Sequence, residues 1–154
     1  MEAKIERIKY SARLMMGLSG LMAVLMLIGC FACIAEAVIN REFAVQAAKS
    51  AGNAADCAFY AATAFTALRL LGNIVSMGTP FGEKNDKLIK AIGIITLIQG
   101  FASPAVRASL LGILHADVTY TSNSALLFTG MIILFIAKIF SYGQILQQES
   151  DETL

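Results

Sequence analysis

Charge is scarce in this chain: 15% of its 154 residues are Asp, Glu, Lys or Arg, against about 25% in an ordinary soluble domain. Neither sign dominates, with 12 Lys and Arg facing 11 Asp and Glu, and this excludes the strongly basic face of a direct nucleic-acid binder. A single His is a poor stock for acid–base chemistry. No phosphate loop, Gly-x-Ser-x-Gly elbow or His-Glu-x-x-His helix is present, so the sequence is read as non-enzymatic and without a cofactor. Cys30, Cys33 and Cys57 are too few and too irregular for a disulfide framework. Cys30 and Cys33 lie in an apolar run and read as packing residues, with no adjacent ligand to make a metal pair.

What is present is apolar sequence. Hydrophobic residues make up 57% of the chain and the mean hydropathy is +0.69. The run from Leu14 to Ala35 carries no charge over 22 residues, long enough at about 1.5 Å per residue to cross a hydrocarbon core of about 30 Å. Further runs follow at Cys57 to Val75, interrupted by Arg69, at Leu88 to Ile113, and at Ala125 to Phe140. None shows the alternation of a barrel strand, and lipid leaves no other way to satisfy the backbone than helices. The expected fold class is all-α, a single four-transmembrane-helix bundle with helices at about 14–35, 57–75, 88–113 and 125–140, partnered by the lipid bilayer.

The cations orient it. Lys4, Arg7, Lys9 and Arg13 precede the first span and Lys84, Lys87 and Lys90 lie in or beside the second connection, whereas the other side holds Arg41, Lys49 and Arg107. The positive-inside rule therefore places both termini and the 76–88 link in the cytoplasm, as in a bacterial inner membrane. Leu27-Ile28-Gly29-Cys30 looks like a lipoprotein processing box and Ala35-Glu36-Ala37 like a signal cleavage site. The apolar stretch is too long for a signal core and its leader carries Glu2 and Glu6, so the helix is expected to stay. Gly17, Gly20, Ala23, Ala58, Ala61, Ala62, Ala64 and Gly130 are expected to let helices approach closely. Pro104 should kink the third helix.

The corner Gly78-Thr79-Pro80-Phe81-Gly82-Glu83-Lys84-Asn85 is the most informative segment. Gly78 suits the end of one helix and Pro80 the start of the next. From there Phe81, Asn85, Leu88 and Ile92 recur along one helical stripe. The spacing predicts a helix from near Pro80 that buries Phe81 and Leu88 against the bundle and enters the membrane around Ile89.

On these residues the chain resembles the small bacterial membrane proteins of the domain of unknown function 2975 family. Gly78, Pro80, Phe81, Asn85, Leu88, Ile92 and Gly93 match its Gly-x-Pro-Phe corner. Phe140, Tyr142, Gly143, Leu146, Gln147, Glu149, Asp151 and Thr153 match its aromatic-Gly stretch and acidic end. Gly82 departs from the Ser or Thr often found there, which weakens an N-cap. The resemblance implies a four-helix membrane protein without established activity. Its partner would be a small cytoplasmic helix-turn-helix transcription regulator, which it restrains or tunes.

The 141–154 tail, read by itself, opposes its own helix dipole with Glu149, Asp151 and Glu152. It is either a fraying end, a docking peptide, or a strand of acid folded against the corner's bases. Arg69, the candidate intramembrane polar residue, either snorkels or forms an internal ion pair. Across the membrane, Glu36, Glu42, Asp56, His115 and Asp117 are the groups able to hold a cation, and their spacing is not that of a metal site. Three functions follow: a membrane-bound modulator acting through Gly78 to Leu88 and Tyr142 to Leu154, a small-molecule or ion-handling protein using Arg69 and the outer acids, and a packing subunit of a larger complex. Self-association into a homo-oligomer is compatible with each.

Overall fold

The computed structural model describes residues 2–40, 43–77, 79–113 and 123–152. They form four helices, α1 (Glu2–Ile39), α2 (Ala44–Met77), α3 (Glu83–Ile113) and α4 (Ser124–Glu152). All four are long and apolar enough to cross a membrane. Each outruns the apolar run that predicted it, because hydropathy marks where charge stops and not where backbone hydrogen bonding stops. Ala-rich sequence carries α2 back to Ala44, and Gln144, Gln148 and Glu149, good helix formers, carry α4 to Glu152. The 141–152 segment is thus helical through Glu152, and its first turn packs on the corner through Ser141 and Gly143. α3 starts later than predicted, at Glu83. Pro80 lies ahead of it in a turn where Thr79 Oγ1 accepts from the Phe81 amide at 3.2 Å.

The helices pack in chain order, α1 on α2, α2 on α3 and α3 on α4, and no other pair packs together among the described residues. The bundle is therefore an open row. Its burial pattern is the reverse of a soluble protein's: Ser50, Asn85, Thr96, Gln99 and Ser103 are buried, while Leu18, Leu21, Val24, Leu25, Phe31, Phe128 and Phe135 are exposed. Small and polar groups inside with large apolar groups outside is what a lipid solvent selects.

The α3–α4 contact has the tightest fit. A Cβ on Gly93 would lie 2.8 Å from the Leu134 side chain, one on Gly100 2.6 Å from Leu127, and one on Gly130 2.7 Å from Leu97. Each step up α3 is matched by an equal step down α4, so the antiparallel register is constant and glycine faces leucine three times. Gly130 was expected at such a contact. Gly17 was too, but a Cβ there would meet nothing within 4 Å, and Ala58 and Ala62 are exposed.

Pro104 sits within α3 without ending it. Having no N–H, it leaves the Gly100 carbonyl without its intrahelical donor. The Asn123 amide supplies one at 3.2 Å. Asn123 also caps α4, its Oδ1 accepting from the Leu126 amide at 3.3 Å. The proline thereby fixes where the fourth helix begins.

Candidate functional site

At the end of the molecule that holds the corner, the two segments singled out in the sequence meet. Gly82 closes the turn, its carbonyl accepting from the Asn85 and Asp86 amides at 2.9 and 3.0 Å. Here the residue that lacks a capping side chain caps through its backbone. Asn85, fully buried, donates from Nδ2 to the Pro80 carbonyl at 3.0 Å. Its Oδ1 has no partner among the described residues. Phe81 is 39% exposed, against the burial predicted for it, because it precedes α3 and lies across α4 instead. Its ring packs on the bare face of Gly143, where a Cβ would come to 2.8 Å, and stands 5.5 Å from the Phe140 ring. Leu88 and Ile92 are half-buried.

A polar bond locks the same junction. Ser141 Oγ donates to Asp86 Oδ1 at 2.7 Å, and Lys90 Nζ meets the other oxygen at 2.5 Å. Asp86, which the sequence reading passed over, lies one position beyond Asn85 and joins α3 to α4. Its i,i+4 spacing from Lys90 was the available signal. Beyond the latch α4 continues with Tyr142 69%, Ile145 50% and Leu146 57% exposed, and with Glu149 at the surface. Gly78 and Thr153 lie outside the described residues, as do the side chains of Gln147 and Asp151.

An isosteric change tests the corner turn directly. Asn85→Asp replaces the donor facing Pro80 with an acceptor in a fully buried place, and is expected to lower stability by about 1–3 kcal/mol at neutral pH. Protonation restores a donor, so the loss should shrink as pH falls. Thermal unfolding in detergent at two pH values measures both effects.

Arg69 is exposed, with its guanidinium carbon 4.8 Å from the centre of the Phe65 ring. It makes no ion pair among the described residues, and the internal pairing considered for it is not formed there. α2 and α4 do not pack together.

At the opposite end, α2 and α3 enclose a polar cleft of about 470 Å³, lined by Lys49, Asn53, Asp56, Tyr60, Ser103 and Arg107 among others. Arg107 crosses from α3 to bond Asp56, and its Nη2 also donates to Asn53 Oδ1 at 2.9 Å. Gly52 makes this crossing feasible, since any Cβ there would run into the Arg107 stem. One turn from Ser103, Gln99 is 1% exposed with no partner for Nε2 among the described residues. Of the groups expected to be able to hold a cation, Asp56 belongs to this cleft, Glu36 accepts from Gln46 Nε2 at 3.2 Å, and Glu42, His115 and Asp117 lie outside the described residues. The sequence reading passed over the Asp56–Arg107 pairing because the two residues are far apart in the chain. Cys30, Cys33 and Cys57 are half-buried at the α1–α2 contact, Cys30 donating to the Ala54 carbonyl at 3.5 Å.

No family model, curated protein or solved structure matches the chain.

Proposed function

We propose that this multi-pass protein, set in a bacterial inner membrane with both termini cytoplasmic, is a membrane-bound modulator whose α4 end holds a cytoplasmic regulatory protein. The observation that carries the reading is how the marked residues divide. Phe81 and Gly143 are spent on the α3–α4 latch and Asn85 on the turn that leads into α3, while Tyr142, Ile145 and Leu146 on the last turns are exposed. α4 is 29 residues long where about 20 cross the hydrocarbon, so Tyr142 sits at the edge of the lipid and the turns with Ile145 and Leu146 project beyond it as a mixed apolar and acidic helix. Such a face suits a groove on a partner. A helix-turn-helix transcription regulator is the partner that the likeness to the domain of unknown function 2975 family suggests, and its basic surface complements Glu149 and Glu152.

Replacing Tyr142 and Leu146 together with serine is expected to reduce co-purification of such a regulator at least ten-fold while thermal stability in detergent is kept. Undiminished recovery by the double variant would overturn the reading.

A second reading, a binding site for a small polar solute, draws support from the Asp56–Arg107 cleft. Its volume falls within the range of small-molecule sites, and charged, amide and hydroxyl groups converge on it.

A further inference from the structure

On the latch side of the molecule, α2 and α3 form a second cleft, of about 500 Å³, lined by Arg69, Gly72, Asn73, Lys84, Lys87 and Leu88. Arg69 and Asn73 are one turn apart on α2, as are Lys84 and Leu88 on α3, so each helix presents one face to it. The space beside Gly72 is open, with nothing within 4 Å of where a Cβ would lie.

The charges do not cancel. Lys87 is held by Glu83 at 2.6 Å, and Asp86, the next acid along α3, is taken by Lys90 and Ser141. Arg69 and Lys84 have no acidic partner among the described residues. Two uncompensated cations therefore face one cleft.

Depth identifies what they meet. Arg69 lies eight residues before the end of α2 at Met77, about 12 Å along the axis at 1.5 Å per residue. Lys84 is the second residue of α3. The apolar runs end at Val75 and resume at Leu88, so Arg69 and Lys84 each lie within about 10 Å of where the apolar sequence stops, a depth from which a long cationic side chain reaches the phosphate layer. The Phe65 ring supports one face of the Arg69 guanidinium, leaving its N–H edge to form paired bonds with a phosphate. Asn73 adds amide donors, and Leu88 gives an apolar edge suited to an acyl chain.

We infer that this cleft is a headgroup site for an anionic phospholipid, with the phosphodiester held between Arg69 and Lys84. It is independent of the regulator-binding reading, which concerns α4. The site differs from general attraction of a basic surface in being one place, bounded by two helices, with a stoichiometry of one lipid.

Native mass spectrometry of the full chain, released from micelles containing equal phosphatidylglycerol and phosphatidylcholine, tests this. The expected result is one retained phosphatidylglycerol, preferred about ten-fold or more. That preference should vanish in Arg69→Gln/Lys84→Gln and persist in Arg7→Gln/Arg13→Gln, which removes the same charge from the start of α1. Equal retention of both lipids by the unaltered chain would overturn the inference without any variant. Equal loss in the two double variants would reduce it to surface charge, and displacement of the lipid by millimolar inorganic phosphate would make the ligand a soluble anion.

Discussion

Replacing Gly130 with leucine is expected to destabilise the α3–α4 contact by about 1–3 kcal/mol, the larger end applying because rotamer change offers no relief. A Cβ at that position would lie 2.7 Å from Leu97 Cγ and 3.0 Å from the Leu97 backbone nitrogen. A side chain can turn away, but a backbone atom moves only with its helix. The two helices must therefore separate or slide, and sliding is opposed by the matching Gly93–Leu134 and Gly100–Leu127 contacts in the same register. Leucine also has the better helix propensity, by about 0.5–1 kcal/mol, so any loss seen is a lower bound on the packing term. Gly17→Leu is the comparison: there a Cβ meets open space, and little change or a small gain is expected. Thermal unfolding of both variants in one detergent measures the contrast. If Gly130→Leu proved as stable as the unaltered chain, the close approach of α3 and α4 would be wrong.

The second large effect concerns Asp56 and Arg107. Either Asp56→Leu or Arg107→Leu leaves a charge of the opposite sign without its partner in a low-dielectric surrounding. The Asp56 side chain is 22% exposed and that of Arg107 43%. The pair therefore lies between a solvated bridge, worth about 0–1 kcal/mol, and a buried one, whose breaking costs about 3–5 kcal/mol. A loss of about 1–3 kcal/mol is expected for each single change, with part of it recovered in the double variant. That recovery is the coupling energy of the cycle, and strict additivity would mean that the bridge contributes nothing. The same variants bear on the solute reading. A small polar solute that raises the unfolding temperature of the unaltered chain should fail to do so once Arg107 is leucine.

The resemblance-bearing residues were legible in the sequence as two separate segments, and their spacing along the chain could not show that they touch. Phe81 carried a helical stripe with Asn85 and Leu88 and was expected inside. Its ring instead closes over Gly143, since Pro80 and Gly82 hold it in a turn before α3 starts. Asp86 carries no mark in the sequence beyond its spacing from Lys90, and its bond to Ser141 crosses from α3 to α4. Arg107 looked like a cation stranded near the end of a span. Asp56, which answers it, is on another helix.

By itself the sequence determined the solvent and the elements: long apolar runs in a medium without hydrogen-bonding partners must become helices, and four such runs become four helices. Periodicity could say little about which faces meet, since in lipid a large apolar side chain does not mark the buried face. Only the tertiary structure decided that. Glycines opposite leucines set the α3–α4 register, the carbonyl released by Pro104 drew in the start of α4, and scattered polar residues paired across helices to form the latch and the cleft.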